Sequence, residues 1–242
     1  RDLVDLIWFP TGGGKTEAYL GLTAFTIFYR RMAYSGESGG TTVIMRYTLR
    51  LLASQQFVRA GTLICACEAI RKDSSGKKKY PSYDLGTEPI TIGLWIGGTH
   101  TPNRNTVAQG CAQGHLEELN KASAKSLRYA KDKHNKFQIL KCPWCGTKLV
   151  REVDSTGKKC VGQWGYAMKD NKHFYMYCPQ EKCLFESRLP IQVVDEELYE
   201  NPPTLLFGTV DKFAMMAWNG AVASFFGSYS KNRTPELIIQ DE

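Results

Sequence analysis

The segment WFPTGGGKTEAYLG, residues 8–21, sets three glycines ahead of Lys15 and Thr16. Such a loop can wrap its backbone N–H groups around a phosphate, because glycine reaches unusual φ/ψ angles and carries no Cβ to obstruct the ligand. A helix starting near Lys15 adds the positive end of its dipole. Lys15 can reach the β and γ phosphates of ATP, and the Thr16 hydroxyl can hold Mg²⁺. Thr11, Gly12, Gly13, Gly14, Lys15 and Thr16 are therefore the candidate nucleotide-binding residues. One departure stands out: the eight-residue phosphate-loop pattern begins with glycine, and here that position is Phe9.

A second acidic piece of the same chemistry closes the chain, where LIIQ runs into Asp241 and Glu242. Phosphoryl transfer to water needs a metal bridging the β and γ oxygens and a group that positions the attacking water. Asp241 at the end of a buried strand would hold the Mg²⁺, and Glu242 would orient the water. With Lys15 they form the candidate catalytic set. Read without the glycine loop, two terminal carboxylates are simply a solvated end.

The third chemical feature is sulfur. Cys142-Pro-Trp-Cys145 is a compact knuckle, and Cys178 and Cys183 offer a second pair with four residues between them. Two pairs of thiolates supply the four soft ligands of a tetrahedral Zn²⁺ site. Cys160 and His173 lie between the pairs and could substitute for one ligand, but they read better as a loop thiol and a surface imidazole. Cys65, Cys67 and Cys111 read as core or half-buried thiols on helical segments. His100 and His115 show no relay partner, and no Ser/His/Asp or Cys/His catalytic arrangement is visible.

The elements needed to position these groups follow from apolar periodicity. Strands are expected at 3–9, 41–47, 89–98, 203–210 and 235–240, and helices at 14–34, about 49–71 and 104–133, with a short one over DKFAMMAW. Alternating strands and helices imply a mainly parallel sheet flanked by helices. Residues 137–190 break the rhythm with cysteines, aromatics and turn residues. The expected organisation is therefore 1–136, the first part of an α/β domain; 137–190, a zinc-binding insertion; and 191–242, the rest of the α/β domain. No internal repeat or low-complexity tract interrupts it.

Composition narrows the partners. The longest apolar stretch, AYLGLTAFTIFY, falls short of the ~20 residues that span a bilayer, so no membrane association is expected. The first residues, RDLVDL, lack a signal-peptide pattern, which with eight cysteines predicts metal ligation in a reducing, cytoplasmic compartment. Net charge is +7, and residues 121–141 hold seven Lys/Arg against one Asp, which favours a polyanionic partner. The insertion adds Trp144, Trp164, Tyr166, Phe174, Tyr175, Tyr177 and Phe185, which could stack on bases or build the core of a small module.

PTGGGKT resembles motif I of superfamily 2 helicases and translocases, where the first loop glycine is often replaced. YTLRLLASQQF (47–57) is similar to motif Ia, GLWIGGT (93–99) to the Gly-Gly motif, FGTVDKF (207–213) falls where motif Ib would lie, and LIIQDE (237–242) looks like the Walker B strand with the start of the DEx-box. The glycine loop with a cysteine-rich insertion ahead of motif Ib resembles the large helicases of bacterial phage defence, the DISARM type in particular. The resemblance implies a RecA-like first motor domain that hydrolyses ATP to move along nucleic acid, DNA favoured over RNA. It assigns backbone phosphate contacts to Thr48, Arg50, Gly97, Gly98, Thr209 and Lys212. It also implies a second RecA-like domain, partner subunits, and negligible turnover by this segment alone. The alternative is a nucleotide-switched platform for nucleic acid or a protein partner; a small-molecule P-loop enzyme is a third.

Overall fold

The computed structural model describes residues 4–6, 14–74, 83–228 and 230–241. In chain order its elements are α1 (Lys15–Ala33), β1 (Val43–Tyr47), α2 (Arg50–Ser74), β2 (Ile92–Trp95), α3 (Ala112–Lys121), α4 (Leu127–His134), β3 (Glu152–Val153), β4 (Cys160–Val161), β5 (Tyr166–Lys169), β6 (His173–Met176), β7 (Ile191–Gln192), α5 (Asp195–Glu200), β8 (Leu205–Thr209), α6 (Val210–Ala214) and β9 (Leu237–Asp241). Of the strand expected at 3–9, residues 3 and 7–9 lie outside the described residues. Residues 4–6 are not in a strand, and Val4 and Leu6 are exposed instead of buried, because no described element packs over them.

Strand order is β7-β2-β8-β1-β9, with every neighbouring pair parallel. The period-2 pattern of each strand decides which face its residues cover. Val43, Met45 and Tyr47 of β1, Ile92 and Leu94 of β2 and Leu205 and Phe207 of β8 join α1 and α2 in one large core. Their alternates Ile44, Trp95 and Leu206 pack on the other face with Leu198, Val222 and Phe225. Gly93 is needed on that second face: an added Cβ would stand 2.4 Å from Leu198 Cδ2. In-register pairing puts Tyr47 beside both Thr209 and Asp241, and Trp95 beside Gly208, so all four strands end at one edge.

Helix α1 is fixed against the sheet by a buried guanidinium. Arg30 is fully buried; its Nη1 donates to Thr41 O at 3.0 Å, Thr234 O at 3.2 Å and Glu236 Oε2 at 2.8 Å. Its Nη2 donates to Gly39 O at 2.6 Å and Arg233 O at 2.8 Å. These acceptors lead into β1 and β9, so the far end of α1 is held to both strands whose opposite ends flank Lys15. Lysine's compact ammonium cannot serve that spread of acceptors. Arg30→Lys should lower unfolding stability by about 3 kcal/mol in urea titration, since buried acceptors lose their donors.

The expected long helix 104–133 is two helices, α3 and α4, preceded by turns. Val107 and Gly110 take positive φ (63° and 73°), which no α-helix accommodates, and Cys111 then caps α3 by accepting from Gly114 N at 3.4 Å. Between the helices Ser126 Oγ accepts from Ser123 N at 3.0 Å, a local bond that competes with helix continuation. Strand β7 and helix α5 were not expected from the sequence.

The cysteine-rich segment contributes the antiparallel pairs β3–β4 and β5–β6. Its buried Phe137, Leu149, Trp164, Tyr166, Phe174 and Phe185 belong to the same hydrophobic cluster as the α1/α2 face of the sheet. No helix among the described residues is long and apolar enough to cross a membrane.

Candidate functional site

Helix α1 opens at Gly14, whose φ of 81° is left-handed and whose missing side chain leaves no cap on the first-turn amides. Glu17 in that turn pairs with Arg59 of α2, which steadies the helix start. Lys15 Nζ lies 3.0 Å from Asp241 Oδ1, so the first residue of α1 meets the last of β9. The Asp241 carboxylate is almost wholly buried, whereas the Lys15 side chain is one-third exposed (34%) and can turn outward. Beside them Tyr47 is buried, and its phenol is held neutral far above the usual range, by burial first and by Asp241 second. Thr16 is half-buried on the same helical turn. Thr11, Gly12, Gly13 and Glu242 lie outside the described residues.

The strand ends bring other expected residues to this edge. Thr48 is exposed just past β1, and Gly97 and Gly98 follow β2, Gly97 with a φ of 104° and its carbonyl accepting from His100 N at 2.9 Å. Thr209 ends β8 fully buried; Arg50 begins α2, its side chain outside the described ones.

The four cysteines converge at a second place. The Sγ atoms of Cys142, Cys145, Cys178 and Cys183 all lie within 4.8 Å of one another, the 145–178 pair at 3.5 Å. A tetrahedral zinc with bonds of ~2.3 Å separates its sulfurs by about 3.8 Å, so the set can hold such an ion. Local backbone geometry makes both pairs. Gly146 takes a φ of 79° and donates to Cys142 O at 2.9 Å, and Lys182 adopts a left-handed φ of 64° that folds the longer second spacing back. Without a cation the thiols diverge. Burial pushes Cys142 up to about 11, while Cys145, despite its own desolvation, falls to about 6 through hydrogen bonds from Thr147 and its neighbouring thiols. Cys160 stays outside the set, its Sγ 3.7 Å from Ala122 O. Cys65 and Cys67 are buried on α2, and Cys111 is buried at the start of α3.

No family model matches the chain. The chain is similar to DISARM protein DrmA of Bacillus paralicheniformis. Identity is 35% over 242 aligned residues that cover 96% of this chain. The chain spans about a fifth (19%) of the length of that curated relative. The match agrees with the expected likeness to DISARM-type proteins.

One expected phosphate contact, Lys212, is tied up within the fold. Lys212 does not stand out toward solvent: its Nζ is 2.5 Å from Asp195 Oδ2 and 5.4 Å from the Trp95 ring centroid. Burial raises the Asp195 pKa, and Lys212 opposes the rise. Stability tied to the neutral carboxyl is therefore complete below its unfolded value of ~3.9 and is lost as pH rises through the higher folded one. Lys212→Met should destabilise by about 3 kcal/mol at pH 8, where the stranded carboxylate is ionised, and by clearly less at pH 5. Urea unfolding at both pH values checks this.

His115, expected without a partner, has its Nδ1 3.4 Å from His134 Nδ1. Of the seven rings picked out in the insertion, Trp164, Tyr166, Phe174 and Phe185 are buried, Tyr175 and Tyr177 half-buried, and Trp144 exposed. Most of that aromatic content is thus core. The basic run exposes Lys121, Lys125, Arg128, Lys133 and Lys141 while Leu127, Ala130 and Phe137 face inward. A cavity of about 990 Å³ is lined by residues such as Glu68, Arg71, His173, Gln192 and Glu200 and by none of the described residues at the carboxyl ends of the strands.

Proposed function

We propose that this chain carries the nucleotide-binding part of an ATP-driven superfamily 2 DNA helicase or translocase with a RecA-like fold, working in antiphage defence. The observation that carries the reading is the 3.0 Å contact between Lys15 at the start of α1 and the buried Asp241 at the end of β9. Open parallel sheets bind ligands in the crevice outside the carboxyl ends of their strands, and that edge is where these residues meet. The similarity to DISARM protein DrmA favours the defence setting.

In this reading the amides of the Gly12–Gly14 loop and of the α1 start bind the triphosphate, and the Lys15 ammonium swings from Asp241 to the β and γ phosphates. Thr16 and the freed Asp241 carboxylate are then available to Mg²⁺, which when bound neutralises charge developing on the phosphates. Glu242 orients the attacking water. Thr48, Gly97 and Gly98 on the neighbouring strand ends, with Arg50, contact the nucleic acid backbone. Thr209 and Lys212 act from beneath, Lys212 bracing Asp195 under the Gly97 turn. A second RecA-like domain and partner subunits complete the motor, and the cysteine-bound zinc stiffens the insertion.

The test is ATP hydrolysis by the full-length parent protein with and without single-stranded DNA. Stimulation that disappears in Glu242→Gln supports the motor. Turnover unchanged by DNA favours the nucleotide-switched platform.

A further inference from the structure

We propose that His173, Glu197 and Glu200 form a binding site for a divalent transition-metal ion, distinct from the four-cysteine site. One nitrogen and two carboxylate oxygens from these residues lie within 4.8 Å of one another. His173 Nδ1 is 2.8 Å from Glu197 Oε1 and 3.7 Å from Glu200 Oε2. They come from two elements, β6 and α5, that the fold brings to one point. Asp170 and Asn171 take positive φ (53° and 55°) in the tight turn between β5 and β6, which delivers His173 at the start of β6. Glu197 and Glu200 sit three residues apart on α5 and so share a helix face.

Two further observations point to a ligand. The first is how Glu197 is held. Its carboxylate is nearly fully buried, and the buried Asn105 donates from Nδ2 to Glu197 Oε1 at 2.8 Å while its own Oδ1 accepts from Phe174 N at 2.9 Å. Metal-binding carboxylates are oriented by outer hydrogen bonds of this kind. The second is the space around the group. All three residues line the 990 Å³ cavity, as does Gln192, 9% exposed, whose buried Oε1 has no hydrogen-bond partner. Three protein ligands leave coordination positions for water or an anion in that cavity.

Donor chemistry names the class of ion. Two carboxylates and an imidazole balance a divalent charge and suit Mn²⁺, Fe²⁺ or Zn²⁺, whereas the thiolates hold Zn²⁺ far better than Mn²⁺. Mn²⁺ therefore separates the two sites. The full zinc-loaded chain, free of nucleotide, is titrated with Mn²⁺ while the sharp electron paramagnetic resonance of the free aquo ion is followed. The expected result is uptake of one Mn²⁺ per chain, unchanged in Asp241→Asn and weakened at least ~tenfold in His173→Ala and in Glu200→Gln, since loss of even an outer partner of a ligand costs ~10–100-fold. Glu200 is half-exposed, so its variant keeps the fold, which bound zinc and circular dichroism verify. No uptake at roughly millimolar Mn²⁺, or equal uptake by parent and Glu200→Gln, would overturn the site and leave His173–Glu197 as a hydrogen-bonded pair only. The Asp241→Asn arm keeps that failure apart from any failure of the nucleotide reading.

Discussion

Lys15→Ala should weaken ATP binding by roughly tenfold to a hundredfold while leaving the fold intact. The magnitude follows from a charge-assisted contact to phosphate, worth ~1.5–3 kcal/mol. The retained stability follows from exposure. Lys15 is one-third exposed, so solvent screens its pair with the buried Asp241, and losing it should cost folding less than the ~3–5 kcal/mol of a fully buried pair. Isothermal titration with Mg-ATP, alongside urea unfolding of the same variant, separates the two effects. A variant that binds ATP as the parent does would remove Lys15 from the phosphate site. Asp241→Asn provides the companion measurement: it should spare binding of ATP in EDTA and lose the extra affinity that Mg²⁺ confers.

Cys178→Ser should be the most destabilising substitution in the chain, costing at least ~3 kcal/mol and releasing zinc. Structural zinc contributes its binding free energy directly to folding. Here that contribution reaches beyond the insertion, because Cys142, Cys178 and Cys183 are buried in the same cluster as Phe57 and Phe207 of the sheet core. Pro143 packs at 3.5 Å from where a Cβ on Gly61 of α2 would stand, and the Lys72 ammonium lies 4.9 Å from the Phe185 ring centroid. Removing the metal with a strong chelator should therefore lower the single unfolding transition of the whole chain. A chelator-induced melt confined to a separate early transition, with the sheet unaffected, would contradict this coupling. Metal content by colorimetric thiol release and thermal unfolding by circular dichroism supply both readouts.

Sequence periodicity was a good guide wherever one element sees one environment. The strands β1, β8 and β9 alternate faces residue by residue, and α1 and α2 are long runs without proline, bounded by turn-rich segments. The knuckle at Cys142 is equally local: spacing and Gly146 suffice to form it. Legibility fails where tertiary contacts decide. Val107 takes a left-handed φ with nothing in its side chain to announce it, so the turns before α3 read as helix. Strand β7 is two residues long and exists only because β2 offers it an edge. The longer Cys178–Cys183 spacing closes through a left-handed Lys182, again a residue type that gives no warning. Lys212 looks like a surface cation until the buried Asp195 is seen beneath it. His173 and Glu197 are 24 residues apart and meet only because Asn105, from a third segment, ties both strands of contact together. One signal was available: Glu197 and Glu200 at helical spacing, on the short acidic stretch DEELYE.

Charge tells the same story at lower resolution. The run at 121–141 places its lysines outward around a small apolar underside, as a solvated helix does. That leaves the strand ends, and not the basic run, as the surface on which the nucleic acid reading rests.

The measurement that bears most directly on the nucleotide claim is a titration of the isotopically labelled chain with Mg-ATP, followed by backbone amide chemical shifts. The account predicts the largest shifts at Gly14, Lys15 and Thr16, with a second set at Gln240 and Asp241 across the sheet edge. Shifts centred on the large cavity around Arg71 and Gln192, or none at the start of α1, would contradict it.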